Sequence, residues 1–219
     1  MFHVSSLEGL EMVDQWRGRG VDMTTEATPH HCLLGAEDMA TLGARLRINP
    51  PVRHRAEGHG EALLAGLASG RVTGIGTDHS PHTHAEKLVD DIWRSAAGFA
   101  GVETSLPLFL THGVHAGRMS LEQYVRASSE GVARAWGLYP RKGAIAVGSD
   151  ADLTIVDLDR PGVIEEARLH GRSDLTPFEG WSTRGAAVAT IVRGRVVMLD
   201  GETVGRPSGA LVGRAHAEG

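Results

Sequence analysis

The chain has 219 residues, enough for one domain or for one and a part, and is 41% hydrophobic and 22% charged, the balance of a globular protein able to bury a core. A net charge of −5 gives it no general attraction to nucleic acid or to an anionic membrane. One cysteine, Cys32, excludes an internal disulfide and fits a reducing cytoplasm, and no apolar run approaches the roughly 20 residues that span a bilayer.

The N-terminal "MFHVSSLEGLEMV" has neither the basic start nor the apolar core of a signal peptide. In "LEGLEMVDQWRGRG", Leu7, Leu10, Val13 and Trp16 form a drifting helical stripe, with Gly18 and Gly20 as stops. A β-rich "VDMTTEAT" follows, ending at "PHH". "EALLAGLASG" predicts a second helix and "RVTGIGTDH" a second strand. Helices are then expected in "SLPLFLTHGVHAG" and in "SLEQYVRASSEGVARAWGL", which opens with Ser120 as cap. Strand and helix in alternation argue for parallel βα units. Near residue 139 the pattern changes: "AIAVGSDADLTIVDLD" and "AAVATIVRGRVVMLDGETV" have strand periodicity, with "GSD" and "DGE" as turns. The expected division is a βα region over 1–140, a small β region over 141–210 and a tail over 211–219.

Twelve histidines hint at metal chemistry. Four places gather functional side chains: "FHVSS" with His3, "TPHH" with His30 and His31, "RINPPVR" with Asn49 and Arg53, and "GTDHSPHT" with Asp78, His79 and His82. His3 and Asp78 stand where a strand gives way to a loop, which in a parallel barrel is the rim that carries the active site. A carboxylate there can bind a metal and accept a proton, and an imidazole can bind the same metal. Each also has an ordinary reading. His3 is near the chain start and reads as exposed, Asp78 reads as a turn cap, "TPHH" as one packed and one solvated histidine, and "NPP" as a turn.

The ordered blocks "HVSS", "EATPHH", "RINPPVR", "GTDHSPHTHAEK", "GVETSLPLFLT", "GLYPRKGAIAVGSDADLTIVD" and "TPFEGW" closely resemble the cyclic amidohydrolases, and within them most of all the dihydroorotases. The resemblance runs from residue 3 to about residue 201. It implies an α/β fold: the C-terminal part of a (β/α)8 barrel, about strands six to eight with their helices, plus part of a small β-sandwich. It implies one or two zinc ions in the complete enzyme and hydrolysis of a cyclic amide in pyrimidine biosynthesis. His3 and Asp78 then correspond to metal ligands. Asp78 is also the general base towards a metal-bound hydroxide. Asn49 and His82 fall where the family contacts substrate, and the Ala97–Gly98 backbone where the ring amide is held, although "AAGFAG" departs from the family's Pro-Gly. His79 reads as support for the strand end, with His31 and Arg53 as further supporting residues.

The family's other metal ligands, a His-x-His pair, a carboxylated lysine or aspartate and another histidine, come earlier in its chain than His3. A whole barrel takes about 250 residues, and the βα region here is roughly half that. The expectation is therefore a C-terminal portion, whether a gene fragment, a late start or one part of a split protein, inactive by itself. Its partners would be a small cyclic amide and either further copies of itself or a complementing N-terminal portion. Two other readings stay open: an allantoinase or hydantoinase, and a non-catalytic dihydroorotase-like subunit. No GxGxxG follows a strand, which disfavours a nucleotide binder.

Overall fold

The computed structural model describes residues 1–171 and 175–213. Residues 214–219 of the expected tail lie outside the described residues.

Met1 to Val4 runs parallel to residues 24–26, with Glu26 N–H donating to Met1 O (3.2 Å) and Val4 N–H to Glu26 O (3.0 Å). Strand β1 (Glu26–Ala27) pairs in parallel with β2 (Gly74–Ile75) on its other side, and His79 forms a parallel bridge with Phe99. These strands are shorter than "VDMTTEAT" and "RVTGIGTDH" predict. The ladder stops where the backbone turns left-handed, at His3 (φ 49°) and Asp78 (φ 47°).

Helix α1 (Leu7–Gly18) is capped by Ser6, whose Oγ accepts Gly9 N–H at 3.2 Å. Leu10 and Val13 of its stripe are buried and Trp16 is exposed. Steps of three residues turn about 300° on a 3.6-residue helix, so the stripe drifts off the packed face. Behind β1 come α2 (Pro29–Leu33), α3 (Met39–Leu42) and α4 (His59–Ser69), the last burying Leu63, Leu64 and Leu67. Helix α5 (His84–Lys87) is closed by a Thr83–Glu86 capping box and is followed by α6 (Val102–Phe109).

The two long helices expected after residue 104 are interrupted. Helix α6 passes into a π-helical stretch at Leu110–His115, and α7 (Leu121–Val125) and α8 (Gly131–Ala135) are separated by another at Arg126–Glu130. The second interruption lies where the helix meets the sheet: a Cβ on Gly131 would stand 2.1 Å from Thr73 O. Only glycine tolerates so close an approach.

An antiparallel sheet of four strands follows in the order β3 (Leu153–Val163), β4 (Ser182–Val192), β5 (Arg195–Leu199) and β6 (Glu202–Thr203). The "DGE" turn joins the last two. Residues 144–147, expected to be strand ahead of the "GSD" turn, form a loop instead, and β3 starts only at Leu153. Lys142 draws Asp150 (2.8 Å) and Asp152 to itself, and Ser149 Oγ donates to Pro140 O (2.7 Å). The sheet is not separate from the helices. Arg184 N–H donates to Thr111 Oγ1 (2.8 Å), and Val156 and Leu158 pack on the cluster of Leu10, Leu63, Phe109 and Tyr124. A second cluster, containing Leu34, Leu46, Ile48, Phe99, Leu108 and Phe178, lies under the loops that follow β2. Among the described residues no helix is long and apolar enough to cross a membrane.

Candidate active site

Parallel pairing sets the first four residues and the chain leaving β2 on either side of β1, so both run out at one end. Their side chains meet there: His3 Nε2 lies 3.3 Å from Asp78 Oδ1, each side chain 24% exposed. Glu26, from β1 between them, brings Oε1 to 2.6 Å from His3 Nδ1. That oxygen is off the ring N–H direction, and the buried Nδ1 has no aligned hydrogen-bond partner among the described residues. Gly76 makes room for the carboxylate, since a Cβ there would stand 2.6 Å from Glu26 Cδ.

The donor types suit a metal. Two ligands each about 2.1 Å from a tetrahedral zinc are roughly 3.4 Å apart, close to the observed separation. A catalytic zinc takes three protein ligands, and among the described residues no three His, Cys, Asp or Glu side chains are placed to hold one ion, Glu26 lying on the Nδ1 side of His3 and Asp78 on the Nε2 side. The pair therefore fits a part of a metal site.

The remaining predicted residues divide into two groups. His82, Ala97 and Gly98 are together: His82 Nε2 approaches Ala97 O at 3.3 Å, and Gly98 N–H donates to Arg47 O (3.0 Å), two residues before the exposed Asn49. His79 turns away and caps α6. Its Nδ1 accepts Gly101 N–H (3.1 Å) and Val102 N–H (3.3 Å), which leaves the ring proton on Nε2. His31 and Arg53 face a cleft of about 320 Å³ lined also by His59, His112, Arg118 and Trp181. Both ring nitrogens of His31 are engaged, with Thr28 Oγ1 (2.8 Å) and Pro50 O (2.9 Å). Burial pushes its pKa down to about 4, against the pull of the Pro50 carbonyl. Arg53 Nη2 donates to Ser5 Oγ (3.1 Å), next to the strand end that carries His3. His30 is deeply buried against His31 and Phe99, and desolvation holds it neutral well below the usual histidine range.

Sequence reasoning missed Glu26 and Lys87. Both lie inside quoted blocks, "EATPHH" and "HAEK", and neither spacing nor residue type marks them out.

Residues 1–197 match the model of the Amidohydrolase family. The chain belongs to the amidohydrolase family. It is 44% identical over 202 residues to a dihydroorotase of Halobacterium salinarum, covering 92% of this chain and 45% of the relative. To an allantoinase of Rubrobacter xylanophilus it is 38% identical over 210 residues, covering 96% of this chain and 46% of the relative. Among solved structures, an L-hydantoinase (dihydropyrimidinase) from Arthrobacter aurescens superposes with a TM-score of 0.88 at 36% identity, over 93% of this chain and 45% of that one. This amidohydrolase chain thus spans less than half the length of the relatives it matches.

Proposed function

We propose that the chain carries the C-terminal part of a zinc-dependent cyclic-amide hydrolase, acting on dihydroorotate in the cytoplasm. In this reading residues 1–140 are the last strands of a (β/α)8 barrel with their helices, and residues 141–210 are part of a small β-sandwich. The observation that supports it is the convergence of His3 and Asp78 at the common exit of parallel strands, the end at which such barrels place their chemistry.

His3 Nε2 and Asp78 Oδ1 would hold the metal, with the other ligands on the portion of the relatives' length that this chain does not span. A zinc ion bound there supplies Lewis-acid polarisation of the ring carbonyl. Asp78, through its second carboxylate oxygen, takes the proton of the attacking water and returns it to the departing ring nitrogen. Asn49 and His82 orient the substrate, and the Ala97–Gly98 backbone meets the ring amide; such placement lowers the barrier substantially. The partner is then a complementing N-terminal portion or further copies of the same protein. A second reading, with allantoin or a hydantoin as substrate, draws on the hydantoinase neighbours and on Ala97 standing where dihydroorotases usually have proline.

Ring opening of dihydroorotate, allantoin and hydantoin by the complete protein that carries this chain tests both, with metal content measured in parallel. Dihydroorotate turnover that drops on the order of 10²–10⁴-fold in Asp78→Asn supports the proposal. Turnover indifferent to that substitution overturns it, and a preference for another ring moves the substrate. Absence of zinc and of all three activities, with a co-purifying partner, would make the chain a non-catalytic subunit.

A further inference from the structure

Lys87, the last residue of α5, is fully buried, and among the described residues it pairs with no carboxylate. Its Nζ donates instead to two main-chain carbonyls on different loops, Arg47 O (2.6 Å) and Ala96 O (3.0 Å), and lies 5.7 Å from the centre of the Phe99 ring. Other bonds close the same knot. Arg47 O also accepts Gly98 N–H (3.0 Å), Ala96 N–H donates to Glu86 O (2.9 Å), and Ser95 Oγ donates to Lys87 O (2.7 Å).

A role in stability does not account for the choice of residue. Burying an ammonium group without a counter-ion is costly, and an apolar chain of similar length would fill the space without that cost. Arg47 O would keep Gly98 N–H as a donor, and Ala96 O would have only a share in the Ser95 hydroxyl, 3.3 Å away, whose proton goes to Lys87 O. Beside the single Gly98 N–H to Arg47 O bond, the lysine supplies a second, side-chain link that holds both loops at one point. Asn49 lies two residues beyond Arg47, Ala97 and Gly98 follow Ala96, and His82 reaches Ala97 O.

We propose that Lys87 is a positioning residue: its ammonium group ties the 47–49 loop to the 96–98 loop and so sets the distance between Asn49 and the Ala97–Gly98 backbone. This rests on the function proposed above, in which the cyclic amide lies between those groups. Desolvation, with the facing Arg47 adding to it, pushes the Lys87 pKa down to about 8, so the link weakens within the reach of an assay.

The test uses the complete protein and its Lys87→Met variant. In the variant, KM for the ring substrate rises at least roughly tenfold, as expected for displaced substrate contacts, while kcat and metal content stay within about twofold. Amide hydrogen exchange quickens in residues 46–49 and 95–99 and is unchanged in α4. In the native protein KM climbs above pH 8, and in the variant that rise is absent. Native-like KM and native-like exchange in Lys87→Met overturn the proposal. Should the variant fail to fold, the native pH profile decides, and a KM flat between pH 7 and 9.5 overturns it. Inactivity of the native protein on every ring refutes the functional reading, and unchanged exchange in the variant then refutes the link as well.

Discussion

Glu26 reaches His3 only because residue 76 has no side chain. An alanine there would press its Cβ against the carboxylate, the mobile end of a flexible side chain, which can swing away at little cost. Gly76→Ala is therefore expected to shift stability by no more than about 0.5 kcal/mol, as surface-like changes do. It would still remove the acid from beside His3 Nδ1. Carboxylates hydrogen-bonded to metal-bound histidines orient them, and losing one typically lowers metal affinity about 10–100-fold; Glu26, in contact with Nδ1 but off the N–H direction, is expected at the low end, about tenfold. Competition with a chelator, read beside a denaturant melt, separates the two effects; an unaltered affinity would show that Glu26 does nothing for His3. The residue scale is also where the sequence was most and least informative. His3 and Asp78 were legible because a histidine and an aspartate at strand ends carry a family pattern. Lys87 was not, because lysine is so seldom buried that its position says "surface" until Arg47 O and Ala96 O, from distant parts of the chain, are seen around it.

At the scale of elements, helix starts were easier to read than helix interiors. Ser120 caps α7 as expected, with Gln123 completing the box, because a cap is a local bond between residues three apart. The π-helical stretches after Phe109 and Val125 are set by what the helices meet, the sheet at Gly185 and the strand at Thr73, and no local pattern encodes that. The start of α6 is a mixed case. Its own N-cap, Gly101, offers no side chain, and the exposed His79 takes over by accepting two of the helix's free N–H groups. His79→Ala is expected to cost about 1 kcal/mol, the usual loss on removing a cap, and His79→Asn, which keeps a short acceptor, less than that. Urea melts of the two variants check this; equal losses would mean that the ring acts by packing and not by its nitrogen.

At the scale of the molecule, the histidines among the described residues divide between surface and core, and that division sets how the fold answers acid. His31 and His30 are buried and held neutral, with His31 lowered to about 4 from an ordinary value of 6.5. As pH falls below 6.5 the unfolded chain binds protons at these two sites that the folded chain refuses. Stability is then fully present above pH 6.5 and is lost progressively down to about pH 4. At 1.36 kcal/mol per unit, His31 by itself accounts for about 3 kcal/mol at the bottom of that window, a large share of a typical domain's total. His112, half-buried beside Trp181, shifts in the same direction. His170 opposes them, since its bond to Glu103 raises its pKa and adds stability on protonation, but that pair is exposed and contributes little. Between pH 7 and 5 the loss expected from these shifts comes from the two buried histidines. Urea titrations at half-unit steps should show the unfolding free energy falling with acid over that range. The decline should be shallower in His31→Gln, which is less stable at pH 7 because the link between Thr28 and Pro50 is weakened. An identical slope in the variant would place the acid-sensitive group elsewhere in the core.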